Sequence, residues 1–287
     1  MAIYDQSYAP WSGEYSSRWS RIWSIVVMEL QQPFKNTWTL LLTLLAFGVV
    51  FVWLFFMFLA ASSQFPLPFA IGNRIYRESF FNTTIFSMIL MVLSATVGAS
   101  LIARDVRHRA LIMYFSRSIT RLDYLVGKFL SLVLFLLCAT LGPGLLMFVG
   151  LMGIGQERLT FGERMGDLGA VTLHSLIMTV PMSAIVLAFS SLTKRTYLAA
   201  IFWTAFYFIS VSISEALRFS LKAEWPKLLS WVQVTSHLGD LCYPVRGTAS
   251  TPILECGWGK PFAILCSITV ASLVLVWWRL RSVEGEE

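Results

Sequence analysis

Arg104-Asp105-Val106-Arg107-His108-Arg109-Ala110-Leu111-Ile112-Met113-Tyr114-Phe115-Ser116-Arg117-Ser118-Ile119-Thr120-Arg121-Leu122-Asp123-Tyr124 holds the densest cluster of basic residues in the chain. Before it, Phe80 to Ala103 carries no charge, and after it Phe129 to about Gly153 carries none either. A helix needs about 20 consecutive apolar residues to cross a hydrocarbon core, and each flank supplies them. The quoted stretch is therefore read as a polar loop between two membrane-spanning helices.

The remainder repeats that pattern. The 287 residues are 56% hydrophobic and only 13% charged, with mean hydropathy +0.68. A soluble domain carries about a quarter charged residues, twice this level. The apolar residues are gathered into runs at about 38–60, 80–103, 129–153, 168–192, 196–214 and 261–278. The expected fold is all-α, a polytopic membrane protein with six transmembrane helices and both termini on one side. The excess of 22 Lys+Arg over 16 Asp+Glu suits the uneven distribution of basic residues across a membrane and does not point to nucleic acid. Residues 1 to 18 are polar and aromatic, with Asp5 and Glu14, and lack the apolar core of a cleavable signal. The first span then serves as the insertion signal.

Orientation follows from Lys and Arg near span ends. With cytoplasmic termini, the inner segments hold 13 of the 22 basic residues, and the short loop Thr193-Lys194-Arg195 contains no acid. The expected layout is a cytoplasmic segment 1–37, a six-span domain 38–280 that includes an outer segment 217–260, and a cytoplasmic tail 281–287.

Within 15–35, Trp19, Ile22, Trp23, Val26, Val27 and Leu30 recur at helical spacing, while Arg18, Arg21, Glu29 and Gln32 lie largely away from them. This predicts an amphipathic elbow helix in the inner interface, ended by Pro33. Gly142-Pro143-Gly144 and Pro181 predict kinks in spans three and four. His174, near the outer end of span four, is read as an interfacial or hydrogen-bonded histidine. In the outer segment, Leu228, Trp231, Val232, Leu238 and Leu241 approximate a helical stripe, so Pro226 to Cys242 is expected to lie as an amphipathic helix on the outer surface. Cys242 and Cys256 share that segment, and their spacing leaves a disulfide or two separate thiols open. Cys138 and Cys266 read as small apolar residues in spans.

Catalytic chemistry has no positive feature. No Gly-x-x-x-x-Gly-Lys-Ser/Thr loop occurs, and Gly127-Lys128 lacks both the upstream glycine and the following hydroxyl. The histidines His108, His174 and His237 have no metal-ligand spacing, and no Gly-x-Ser-x-Gly elbow exists. The expectation is a non-enzyme with no metal or cofactor of its own.

The loop itself carries an apolar block, Ala110, Leu111, Met113, Tyr114 and Phe115, between Arg107-His108-Arg109 and Arg117. Such a block can insert into a cleft on a soluble partner, with the guanidinium groups pairing with surrounding carboxylates. It can equally lie on anionic headgroups.

Leu101-Ile102-Ala103-Arg104-Asp105, Arg109-Ala110-Leu111 and Tyr114 to Leu130 resemble the loop between spans two and three of bacterial type-2 ABC exporter permeases. Those proteins carry an acidic residue, a Thr-Leu segment, Ser-Arg-Pro-Val-Ser-Arg, a Tyr, and Gly-Lys opening the third span. Asp105, Leu111, Ser116, Arg117, Arg121, Tyr124, Gly127 and Lys128 fall on that pattern. Ser118 stands where the family has Pro, and Arg109-Ala110 where it has Gly-Thr. The resemblance is distinctive over about 25 residues, and the six-span layout with its elbow agrees with it.

The resemblance implies that the loop is a coupling helix docking on a separate ATPase through Asp105, Arg107, His108, Arg109, Leu111, Tyr114, Phe115, Arg117 and Arg121. Lys194 and Arg195 would form a second inner contact. Two permease copies, expected to be identical, and two ATPases would make the transporter in the cell (inner) membrane, with ATP and Mg bound by the ATPases. The expected function is a permease coupling ATP hydrolysis to export. The alternative is a mechanotransmitter that moves an extracytoplasmic partner bound at 217–260 and transports nothing.

Overall fold

The computed structural model describes residues 17–62, 84–115, 119–154, 161–243 and 257–285. The elements in order are α1 (Arg18–Lys35), α2 (Thr37–Ser62), α3 (Thr84–Arg107), α4 (Ala110–Phe115), α5 (Arg121–Ile154), α6 (Phe161–Leu192) and α7 (Thr196–Leu221). A short 3-10 turn at Trp225–Leu229 leads into α8 (Trp231–Leu241), and α9 (Gly259–Gly285) follows. Among the described residues there is no strand. Six helices, α2, α3, α5, α6, α7 and α9, are long and apolar enough to cross a membrane. The chain is a multi-pass helical membrane protein. We call the side bearing the start of α1 and the end of α9 basal, and the opposite side distal.

Burial separates the six spans into a core and a periphery. The spans within α3, α5 and α6 are 67%, 56% and 67% buried, against 22%, 17% and 17% for α2, α7 and α9. Lipid gives helices no hydrophobic reason to associate, so close packing at small residues and interhelical polar contacts must hold the core. Both are present. A Cβ on Gly98 of α3 would meet Val186 of α6 and Leu132 of α5 at 2.4 and 2.9 Å, so only glycine lets these three helices approach so closely. Lower down, Ser190 of α6 donates to the Ala99 carbonyl at 2.9 Å and accepts from the Ile102 and Ala103 N–H groups at 3.1 and 3.0 Å. One hydroxyl thus ties the end of α6 into the backbone of α3.

Several boundaries differ from expectation. The third span starts at Arg121 instead of 129, and the second runs on to Arg107 instead of stopping at 103. The apolar-run criterion ended both at the first charge. Here Asp105 and Lys128 are buried and paired within the protein, so the helices continue through them. The fifth span likewise runs to Leu221, not 214. Helix α5 passes through Pro143 and α6 through Pro181 without interruption.

Helix α1 also corrects the sequence reading. Pro33 does not end it: the helix continues to Lys35 with Pro33 on its buried face. That face is Ile22, Ile25, Val26, Glu29 and Pro33, whereas Trp19 and Trp23 are exposed. The predicted stripe is rotated, because Glu29, assigned to the polar side, turns inward to meet Lys128.

Candidate functional site

Four charged side chains meet at the basal end of the core. Lys128 of α5 is fully buried and has three donors. It directs them to Glu29 Oε1 of α1 at 2.8 Å, Asp105 Oδ2 of α3 at 2.6 Å and the Leu101 carbonyl of α3 at 3.1 Å. Arg104 lies across the other oxygen, Glu29 Oε2, at 3.5 Å. The Tyr124 hydroxyl donates to the same Asp105 oxygen at 2.8 Å. Two carboxylates and two cations sum to zero; Glu29, Asp105 and Lys128 are buried, and the partly exposed Arg104 supplies the second positive charge from the edge.

The three helices reach this point for local reasons. Thr120 and Asp123 form a reciprocal capping box at the start of α5: the Asp123 N–H donates to Thr120 Oγ1 at 3.3 Å and the Thr120 N–H to Asp123 Oδ2 at 3.2 Å. The remaining Asp123 oxygen takes the Arg18 guanidinium at 2.6 Å, which pins the start of α1 to the start of α5. Between that pair and the Glu29–Lys128 pair, Gly127 lets Ile25 come in, since a Cβ there would lie 2.9 Å from Ile25 Cγ2. Helix α1 is thus held along its length on α5.

Above the cluster, α3 ends at Arg107 and the chain turns through His108 and Arg109 into α4. Arg109 takes a left-handed conformation with φ 53°, a backbone state that costs a non-glycine residue about 1–2 kcal/mol. Helix α4 is tied back to the bundle. Leu111 is buried, and the Tyr114 ring packs on Tyr124 at a tilt of 57°, with centroids 5.3 Å apart. Lys128 Nζ lies 6.0 and 5.4 Å from the Tyr114 and Tyr124 ring centroids. Burial first, then the Asp105 and Glu29 carboxylates, push the Tyr114 hydroxyl up to about 12.

The residues expected to face a partner therefore divide. Arg107, His108 and Arg109 are exposed on the turn, and Lys194 and Arg195 are exposed on the same basal side between α6 and α7. Arg195 caps α7 and donates to the Tyr197 hydroxyl at 2.8 Å. Arg121 is half-exposed. Asp105 and Leu111 instead face their own bundle and Tyr114 is half-buried, because the cluster and the tyrosine stack claim them. Arg117 and the side chain of Phe115 lie outside the described residues. Sequence reasoning missed Glu29 as a site residue and treated Lys128 only as the opening of span three. The spacing Ile22, Ile25, Val26, Glu29, Pro33 on one helical face was the available signal.

The distal end is built differently. Helix α8 packs against α6, α7 and α9, so it is a cap seated in the bundle rather than a helix resting on its surface. Gly239 of α8 sits directly on His174 of α6, where a Cβ would fall 2.2 Å from Nε2. His174 Nδ1 is 3.3 Å from the Tyr243 hydroxyl. Trp231 packs on Trp203 and Tyr207, with centroids 5.5 and 5.9 Å away, and Trp203 Nε1 donates to the Met91 carbonyl at 3.2 Å and to Ser94 at 3.1 Å. Cys242 is half-buried, and its Sγ–H donates to the Leu238 carbonyl at 3.2 Å. Cys256 lies outside the described residues.

Among the described residues no group of His, Cys, Asp or Glu has the arrangement of a metal site. The chain matches no protein-family model and no curated protein.

Proposed function

We propose that this chain is the membrane subunit of a type-2 ABC exporter, coupling ATP hydrolysis by a separate ATPase to movement of its own spans. The observation that carries the reading is mechanical. Arg107, His108 and Arg109 stand exposed on a turn, and the helices on either side of it are joined through one buried cluster to α1, α3 and α5. A force applied at the turn has nowhere to dissipate in a loose loop. It passes directly into two spans and the interfacial helix.

Three adjacent basic side chains suit a partner surface lined with carboxylates, where arginine forks pair bidentately. Lys194 and Arg195 add a second basic point on the same side. ATP and Mg belong on the partner in this reading, with two ATPases and two copies of the chain. The broad exposed apolar faces of α2 and α7 are available to lipid and to a second copy.

Arg107→Glu combined with Arg109→Glu tests the reading. Co-expressed with a cognate P-loop ATPase, the double variant is expected to lose co-purification and stimulated ATP turnover while its own melting temperature stays unchanged. Undiminished assembly overturns the docking assignment.

A second reading, work on a distal partner without transport, draws support from the distal cap. Helix α8 packs on three spans at once, so their displacement reaches the distal surface. Reconstituted vesicles that hydrolyse ATP and move no cargo, while a protein binds the 217–260 region, would favour it.

A further inference from the structure

Between α1, the start of α2 and the basal half of α3 lies an open cleft of ≈ 220 Å³. Two polar stripes face each other across it. Helix α3 contributes Thr96, Ser100 and Arg104 at four-residue spacing, and the α1–α2 junction contributes Gln32, Asn36 and Thr39. Successive members of the α3 stripe are about 6 Å apart along the helix axis, so the wall runs about 12 Å from the level of Arg104 toward the bilayer interior. A lipid-facing helix surface has no reason to display hydroxyls and a guanidinium in register, since each costs free energy in hydrocarbon.

The donors of Arg104 and Asn36 are largely unspent, and the hydroxyls keep their acceptor capacity. Of the five Arg104 donors, one makes a long 3.5 Å contact with Glu29 Oε2. The Asn36 side-chain oxygen accepts from the Trp38 N–H at 3.1 Å, so what Asn36 can offer the cleft is its amide N–H pair. The Thr96 and Ser100 hydroxyls donate to their own helix at Leu93 and Val97, so their oxygens can still accept. Glu29 also borders the cleft, but its side chain is 1% exposed and its other oxygen is taken by Lys128. The accessible charge is that of Arg104 alone. On the helices α1 and α2 that form one wall, Trp23 and Trp38 are exposed, as aromatic side chains are at the headgroup level of a bilayer.

We infer that this cleft holds the phosphate ester of a membrane lipid from the basal leaflet. Arg104 and the Asn36 amide donate to the phosphate, and the hydroxyl stripe accompanies the polar part of the lipid inward. The inference does not rest on an ATPase partner. It does give the lipid a hold on the ion cluster, because the phosphate competes with Glu29 for Arg104 while Lys128 keeps Glu29 in place.

Native mass spectrometry of the full chain in detergent tests it, with dioleoylphosphatidylglycerol as the probe. Diolein, which lacks the phosphate, and glycerol 3-phosphate, which lacks the chains, serve as the two comparison arms. One phosphatidylglycerol is expected to bind per chain and diolein not at all. Arg104→Gln should weaken binding about tenfold or more, the loss of a charge-assisted hydrogen bond. Ser100→Leu, which fills the cleft without touching a charge, should do the same and keeps the test alive if the arginine variant does not fold. Binding unchanged in Ser100→Leu and in every folded arginine variant overturns the site. Displacement of the lipid by equimolar glycerol 3-phosphate overturns the lipid assignment in favour of a soluble phosphate ester.

Discussion

The two ends of the bundle are held by opposite kinds of contact. At the basal end, Glu29, Asp105 and Lys128 share a buried site with Tyr124, and Arg104 reaches Glu29 from the open cleft beside it. At the distal end, Trp203, Tyr207 and Trp231 interlock, and Gly239 fits over His174 beside Tyr243. An ionic cluster tolerates little: remove one member and its partners become buried, uncompensated charges. A packed aromatic cap loses stability in proportion to the volume disturbed. The basal end should therefore act as a rigid transmitter between helices, and the distal end as a fitted lid.

The largest test of this contrast is Lys128→Met. It strands Glu29 and Asp105 together with only the loosely placed Arg104, and is expected to cost about 3–5 kcal/mol, read as loss of folded protein in a denaturation series. Replacing Glu29, Asp105 and Lys128 together by Gln, Asn and Met should recover most of that loss. A single Lys128→Met that melts like wild type would remove the ionic account of the basal end.

Next in size is Gly239→Ala. Its Cβ would overlap His174, which predicts a cost of about 1–3 kcal/mol. His174→Ala in the same chain should return part of it, and that coupling in a double-mutant cycle is the signature of a fitted contact. Strict additivity would mean that the lid is not seated on this histidine.

A smaller effect separates the ends by pH. The Tyr114 hydroxyl, with an ordinary value of 10.0, is pushed up to about 12 in the folded chain. The unfolded chain loses this proton first. The stabilising contribution is thus complete below pH 10 and disappears between pH 10 and 12. Tyr114→Phe should retain more of its stability than wild type as pH rises from 10 to 12, measured as the shift in melting temperature.

Smallest is Arg109→Gly. Glycine relieves the left-handed conformation but adds backbone entropy to the unfolded chain, so the net gain is about 0.5–1 kcal/mol. It also sharpens the basal picture, because stability should rise with the ion cluster left untouched. A loss of stability would place the strain elsewhere.

The spans were legible because hydrocarbon excludes unpaired charge, and six charge-free runs have few other uses. Their ends were not. Charge marks the end of a span only when it faces lipid or water, and Asp105 and Lys128 face each other instead. Arg107, His108 and Arg109 could be anticipated as an exposed basic turn from their neighbours in sequence. Glu29 was harder to read: it shares a helical face with Ile22, Ile25 and Val26, but its partner lies on another helix, and Trp19 and Trp23, which drew the apolar stripe the other way, are exposed. The cap was half legible: a helical stripe named the helix, but not that three spans would enclose it.

The Glu29–Lys128 pair spans 99 residues of chain. At a synthesis rate of about 5–20 residues per second, that separation is about 5–20 s on the ribosome. Throughout that interval α1 has a carboxylate with no lysine to meet, so its final contact cannot form while α2 and α3 are being made. Only when α5 arrives can α1 close onto the bundle. The ion pair makes α1, which precedes α2 to α9 in the chain, one of the last of them to take its final place.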